Sequence, residues 1–158
     1  MTSIEKQESR TRNILLFQLG RSIKSKQQLR VLLAKREIDP EVFEPILDRF
    51  EEAGLINDLE FAKTVASSRQ KYKGLSKSAI VRELKTKGIA EESISVAVAD
   101  IDSQTELEKA TELAIARASR LVGLERDVAY RRLSGFLARK GYSGSVISVA
   151  VKAAFASE

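Results

Sequence analysis

The sequence predicts an all-α fold of three tandem three-helix repeats that form an elongated, curved array. Apolar residues recur at helical spacing along almost the whole chain, and glycines stand where helices should end. The apolar pattern also repeats, at offsets of 51 and then 53 residues. Glycine and proline number only 8 and 2 among 158 residues, which is too few for a β-sandwich or barrel.

The first of the clearest helices begins at Asp39 and Pro40, a typical N-cap and first-turn pair. Gly54 ends it, because glycine readily adopts the left-handed conformation that follows a helix. One face of this helix is apolar, with spacing i, i+3, i+4, i+7, and carries Phe43, Ile46, Leu47 and Phe50. That face is expected to lie in the core.

The same reasoning predicts two more helices in the middle of the chain. One covers residues 57–73 and ends at Gly74, and the next covers residues 76–87 and ends at Gly88. Ile80 and Leu84 are the expected core residues of the second of these helices.

Each apolar set has counterparts in the next repeat. The matched positions are Leu29, Ile80 and Leu133; Leu33, Leu84 and Leu137; Ile38, Ile89 and Tyr142; Phe43, Ile94 and Ile147; Ile46, Ala97 and Ala150; and Leu47, Val98 and Val151. We therefore predict a polar N-terminal tail at residues 1–10, followed by repeats at 11–56, 57–102 and 103–158. A single irregular helical domain is the alternative.

The composition excludes most catalytic sites. Without histidine or cysteine, the chain has no thiolate nucleophile, no imidazole base and no Cys/His zinc site. It also lacks the glycine-rich phosphate loop of nucleotide-binding proteins. The acidic cluster Asp48, Glu51 and Glu52 is typical of a solvated helix face rather than of a metal site. We expect no enzymatic activity, no metal and no cofactor.

The expected compartment is the cytoplasm. The first residues are polar, unlike a signal peptide, and no apolar run approaches the roughly 20 residues needed to span a bilayer. We therefore predict no membrane contact, and we also predict a monomer.

Charge alternates in sign along the chain. Residues 9–36 carry eight bases and no acid, whereas residues 37–60 carry nine acids and one base. Residues 69–88 are again basic and residues 91–112 acidic. Two interpretations stay open: the middle helices form one positive surface for an anionic partner, or neighbouring helices pair their charges. Glu83, the one acid within 69–88, is expected to pair with Lys87.

Three segments resemble a known family. They are NDLEFA at residues 57–62, IVRELKTKGI at residues 80–89 and FLARKGY at residues 136–142. The first two are similar to the central motif of the RecX regulatory proteins, which restrain the bacterial RecA recombinase, and the third is similar to the closing motif of that family. The resemblance covers about residues 14–155. The first repeat departs most, because Gln28 stands where the family usually has an acid.

The resemblance implies three three-helix repeats and a negative regulator without enzymatic activity. Such a protein lodges in the groove of the RecA filament on DNA, blocks its extension or promotes its disassembly, and so modulates recombination, DNA repair and the SOS response. The implied partners are the RecA filament and, weakly and electrostatically, single- or double-stranded DNA. The basic residues predicted to form this surface are Arg69, Lys71, Lys73, Lys77, Arg82, Lys85, Lys87, Arg131, Arg132, Arg139 and Lys140.

Two other functions fit part of the pattern. A sequence-nonspecific DNA-binding helical module would also combine three-helix units with a basic helix. Such a module seldom carries so many acids nearby, which favours a protein that binds both protein and DNA. A helical scaffold unrelated to recombination would require the motif match to be coincidence.

Overall fold

The computed structural model describes residues 2–156, which form nine α-helices, one 3₁₀ turn and no strand. The helices are α1 Ser3–Arg21, α2 Lys26–Lys35, α3 Pro40–Glu52, α4 Asp58–Lys73, α5 Lys77–Thr86, α6 Glu91–Ala97, α7 Ser103–Ala118, α8 Arg126–Arg139 and α9 Gly144–Ala156; the 3₁₀ turn is Ser119–Leu121. The predicted all-α fold is confirmed. None of the helices in this part of the chain is long and apolar enough to cross a membrane.

The helix ends follow the predicted local signals. The Asp39 carboxylate accepts a hydrogen bond from the Glu41 N–H at 3.1 Å, and Pro40 is the first residue of α3. Ser25 and Gln28 form a capping box at the start of α2, in which each side chain bonds the main-chain N–H of the other. Each cap satisfies N–H groups that the helix itself leaves unpaired.

The start of the chain differs from the prediction. Residues 3–10, predicted as part of a polar tail, form the first half of α1. Thr2 and Glu5 make a capping box there, with hydrogen bonds of 3.1 and 3.2 Å. These capping bonds and the continuation into the apolar part of α1 stabilise a segment that has little apolar pattern of its own.

Equivalent positions of the repeats have equivalent environments. Sixteen of the eighteen matched residues are buried, and the other two, Ala97 and Ile147, are partly buried. A shared helical period alone would not place the same positions in the core three times. The repeat boundaries at 11–56, 57–102 and 103–158 and the curved array stay predictions.

The chain forms two compact units. The first unit runs up to Thr64 and includes Leu84–Ala97, and the second contains Val65–Glu83 and the chain from Val98 onward. The first has a core of Leu15, Leu29, Leu33, Ile38, Phe43, Ile46, Leu47 and Ile56. The second has a core of Ala110, Ala114, Ala118, Leu133, Leu137, Tyr142, Ala150, Val151 and Ala154.

Within the first unit, the start of α2 lies against the end of α5. The buried Ser25 hydroxyl donates a hydrogen bond of 2.8 Å to the Lys87 carbonyl oxygen. The next residue, Gly88, has φ of +79° and lies so close to Gln27 that a Cβ there would stand 2.4 Å from the Gln27 Cβ. This first junction therefore needs glycine for both its conformation and its size.

Within the second unit, the start of α5 meets the end of α8 through equivalent residues. The Ser76 N–H donates to the Lys140 carbonyl oxygen at 2.9 Å. A Cβ on Gly141 would stand 2.4 Å from the Ser76 Oγ. Because Ser25, Lys87 and Gly88 correspond to Ser76, Lys140 and Gly141, the repeat is visible in the contacts as well as in the core.

Tyr142 is buried next to this second junction. It is only 5% exposed, and its hydroxyl donates a hydrogen bond of 2.7 Å to the Gly74 carbonyl oxygen at the end of α4. Burial raises the pKa of the phenol to about 12. The neutral, donating form is therefore the one that the folded chain holds.

We expect Tyr142→Phe to lower the free energy of unfolding by about 1 to 3 kcal/mol, because the buried Gly74 carbonyl loses its donor. Because the pKa of Tyr142 is raised in the folded state, the phenol makes its full contribution to the free energy of unfolding below pH 10. That contribution declines as the pH rises from 10 toward 12. The stability gap between parent and variant should therefore narrow over that range in urea unfolding. Tyr72→Phe is the control, since Tyr72 is 77% exposed. Equal stability of parent and Tyr142→Phe at neutral pH would contradict the role of the hydrogen bond.

Candidate functional site

The predicted basic surface is divided between the two units. Lys85 and Lys87 belong to the first unit, and the other nine residues belong to the second. The structure assigns these bases different local roles, which separate the cations held by the fold from those available to a partner.

Arg69 is held by an ion pair. Its Nε donates to both carboxylate oxygens of Glu83, at 2.8 and 3.1 Å, and both side chains are partly buried. The pair joins α4 to α5 across 14 residues of sequence. Glu83 thus pairs with a base of the preceding helix, and the predicted pairing of Glu83 with Lys87 stays a prediction.

The C-terminal end of α4 collects two ammonium groups. Lys140 Nζ donates to the Lys73 carbonyl oxygen at 2.7 Å, and Lys109 Nζ donates to the Lys71 carbonyl oxygen at 3.4 Å. Cations are favourable here because the last carbonyls of a helix have no partner within it and carry partial negative charge. Lys140 thus stabilises the junction, while the side chains of Lys71 and Lys73 are exposed.

Helix α5 carries Lys77 at its start and Arg82 further along. Lys77 is half-buried, and its charge helps to lower the pKa of the Asp102 carboxyl, after the larger effect of the hydrogen bond from the Thr105 N–H. Arg82, further along α5, is exposed but makes contacts of its own.

Helix α8 presents the most open bases. Arg131, Arg132 and Arg139 are all exposed. Among residues 2–156 none of the three forms an ion pair with a carboxylate. Arg132 and Arg139 are seven residues apart and so lie on one side of the helix. These guanidinium groups are available to an anionic partner.

In the first unit, the end of α5 carries the remaining two predicted residues. Lys85 is exposed, whereas the Lys87 ammonium lies 5.8 Å from the centre of the Phe61 ring. A cation over an aromatic face is attracted by the ring quadrupole, so Lys87 packs partly against the fold.

Two bases of the first repeat, Lys26 and Arg30, are paired with the acidic helix that follows. Lys26 Nζ bonds Asp48 at 2.8 Å and Glu51 at 3.2 Å. The hydrogen bond to Asp48 raises the pKa of the Lys26 ammonium, against the opposing effect of burial and with a further contribution from Glu51. Arg30 pairs with both carboxylate oxygens of Glu44, and this pairing raises the pKa of Arg30 above its usual value.

Charge pairing therefore explains the alternation between α2 and α3. In the acidic cluster, Asp48 and Glu51 bind the Lys26 ammonium. No group of acidic side chains that the structure describes is arranged to hold a metal ion. Pairing of neighbouring helices is thus shown for α2 and α3, and a positive surface formed by the middle helices stays a prediction.

A second exposed basic row, on α1, was not among the predicted site residues. Its three bases, Lys6, Arg10 and Arg21, are four and eleven residues apart and so lie on one side of the helix. The spacing was visible in the sequence, but the prediction of a tail over residues 1–10 hid half of the row.

Comparisons with known proteins identify the family. A family model for the second three-helix domain of RecX matches residues 57–98, and one for the third three-helix domain matches residues 104–151. The chain is 43% identical over 147 residues to Regulatory protein RecX of Streptomyces coelicolor, which covers 93% of this chain and 78% of that protein. It is 38% identical over 157 residues to Regulatory protein RecX of Mycobacterium leprae, covering 99% of this chain and 92% of that protein.

Solved structures agree on the fold. The crystal structure of RecX from Lactobacillus salivarius matches with a TM-score of 0.81 and 19% identity, over 96% of this chain and 99% of that one. A second crystal structure, of a regulatory protein RecX, matches with a TM-score of 0.79 and 22% identity, over 95% and 73% of the two chains. Together with the sequence matches, these structures confirm the resemblance found in the motifs, and the chain belongs to the RecX family of regulatory proteins.

Proposed function

We propose that this chain is a negative regulator of the RecA recombinase. It binds the RecA–DNA filament in its groove and blocks its extension or promotes its disassembly, and thereby modulates recombination and DNA repair. The observation that carries the proposal is the set of open guanidinium groups on α8, at Arg131, Arg132 and Arg139. Family membership supports a regulatory role for the chain.

The chemistry of these groups suits a nucleoprotein partner. Arginine presents planar donors that match both carboxylates and phosphates, so the same guanidinium groups can bind an acidic protein surface or a nucleic acid backbone. Lys71 and Lys73, which belong to the same unit, add exposed ammonium groups. Arg69 and Lys140 contribute indirectly, because their side chains hold α5 and α8 in position.

Regulation of this kind is stoichiometric. Inhibition tracks the ratio of the regulator to filament sites, because a bound protein acts by occupying the filament. Turnover by trace amounts, with covalent change to RecA, DNA or nucleotide, would contradict the non-enzymatic function.

The test is RecA ATPase activity and strand exchange on single-stranded DNA with the double variant Arg131→Glu/Arg132→Glu. Inhibition should weaken sharply, while helical content and melting stay close to those of the parent, since exposed charges contribute little to folding. The slope of log affinity against log salt should fall by roughly 1.4 to 1.8, which corresponds to two lost phosphate contacts.

The matched control is Arg120→Glu/Lys152→Glu. It has the same change in net charge, at two exposed bases of the same unit outside the predicted surface. This control should inhibit as strongly as the parent. If both double variants lose inhibition equally, only net charge matters. If Arg131→Glu/Arg132→Glu inhibits normally, α8 is not the contact surface.

A further inference from the structure

One face of α1 carries a row of exposed side chains. The row, at spacings of four, three, four and four residues, consists of Lys6, Arg10, Asn13, Phe17 and Arg21. Because an α-helix turns every 3.6 residues, these five side chains point in nearly the same direction. With a rise of 1.5 Å per residue the row is about 22 Å long. It can follow several successive groups of an extended ligand.

The cations of this row are open, unlike Lys26 and Arg30 of α2. In the described part of the chain, Lys6, Arg10 and Arg21 form no ion pair with a carboxylate, whereas Lys26 and Arg30 are both paired. Cations that the fold does not neutralise attract an anion from solution.

A cleft adjoins the row and adds a further cation. It has a volume of about 480 Å³, and Arg36 at the end of α2 lines it together with Lys6, Arg10, Asn13 and Phe17. No acidic side chain lines this cleft. Arg36 corresponds to Lys87 and Lys140 in the repeat pattern, and those two lysines pack on the Phe61 and Phe136 rings. At Arg36 the equivalent cation faces the open cleft.

Phe17 shows what kind of anion fits. The side chain is 62% exposed in the middle of a basic row and lies outside the buried core of the first unit. The Arg21 guanidinium lies 5.5 Å from the centre of its ring. Exposed aromatic rings within basic grooves are the stacking platforms of single-strand binding proteins, because every base has a face that stacks. In a duplex the bases are already stacked on one another, so the ring favours a single strand.

We propose that the α1 row binds single-stranded nucleic acid. Lys6, Arg10 and Arg36 hold phosphates of the backbone, and a base stacks on Phe17 beside Arg21. This proposal extends the proposed function, since it places the binding of the nucleic acid strand in the first unit. Strand binding can be measured without RecA, so its result is independent of the inhibition of the filament.

The chain contains no tryptophan, so Phe17→Trp creates a single fluorescent reporter in the middle of the row. An oligothymidylate of 20 nucleotides and the RNA strand of the same length are titrated separately into this variant. Quenching by either strand supports the site, and the two titrations show which sugar it prefers. Quenching of equal strength by a DNA duplex or by polyglutamate would overturn it, because neither offers a free base. Absence of quenching by both single strands would also overturn it.

Two variants separate the contribution of the ring from that of the cations, with affinity measured by the fluorescence anisotropy of a labelled strand. Phe17→Ala should weaken binding about 5- to 150-fold, the effect of losing one stacked base. Arg10→Glu/Arg36→Glu should weaken binding at least about tenfold at low salt and lower the salt slope by roughly two contacts. All these residues are exposed, and circular dichroism should show an unchanged fold.

The controls are chosen to match. Leu16→Ala removes an apolar side chain of similar exposure, 56%, next to Phe17 on α1. Arg49→Glu/Lys63→Glu reverses two exposed bases elsewhere in the same unit. Both controls should bind like the parent, and loss of binding equal to that of the site variants would contradict the proposal. The variant Arg131→Glu/Arg132→Glu in the Phe17→Trp background should inhibit RecA less but show the same quenching by single strands. The two proposals can therefore be tested independently.

Discussion

Gly88→Ala is expected to lower the free energy of unfolding by about 2 to 5 kcal/mol. The backbone at Gly88 has φ of +79°, a conformation that costs a residue with a Cβ about 1 to 2 kcal/mol. The new methyl group would also stand 2.4 Å from the Cβ of Gln27 and 2.7 Å from its Cγ. The Gln27 Cβ is fixed to the backbone of α2, so relief requires the junction to open, at a further cost of about 1 to 3 kcal/mol.

Gly54→Ala separates the two contributions. Gly54 has the same φ of +79° and belongs to the same unit, but a Cβ there would meet nothing within 4 Å. The Gly54→Ala variant should therefore lose only the conformational contribution of about 1 to 2 kcal/mol from its free energy of unfolding. Urea unfolding of both variants therefore isolates the contact between α2 and α5. Equal losses would mean that the junction is not packed at Gly88.

Leu84→Ala is expected to cost about 2 to 5 kcal/mol. The side chain has 0% exposure, and its counterparts Leu33 and Leu137 are equally buried. Truncation removes apolar contacts and leaves a cavity that the surrounding helices fill only in part. Thermal or urea unfolding measures the loss directly.

The control for this variant is Leu55→Ala, the same chemical change at a residue of the same unit that is 54% exposed. It should change stability by no more than about 0.5 kcal/mol. A Leu84→Ala variant as stable as Leu55→Ala would contradict the position of Leu84 in the core.

Helix boundaries were predictable from the sequence because their causes are local. Asp39 and Pro40 begin α3, and Gly74 and Gly88 have the positive φ expected after α4 and α5. The N-terminal half of α1 was missed because Thr2 and Glu5 stabilise it by capping, while the apolar pattern that guided the prediction begins later.

The site was less predictable because its contacts join distant segments. The sequence identified Arg69 and Lys140 as basic, but it did not show that Glu83 and the Lys73 carbonyl already bind them. Lys26 likewise pairs with acids 22 and 25 residues away. Which cations a fold neutralises depends on how its helices pack, and spacing within one helix does not reveal it.

The two junction hydrogen bonds end on main-chain carbonyl oxygens, at Lys87 and Lys140. Any amino acid offers the same oxygen, so the side chains at these positions are free to drift without breaking the bond. An insertion or deletion within α5 is a different matter, because one extra residue rotates the end of the helix by about 100° and moves it by 1.5 Å. Substitutions at Lys87 or Lys140 thus leave the main-chain hydrogen bond intact, whereas an insertion or deletion in the helix breaks it.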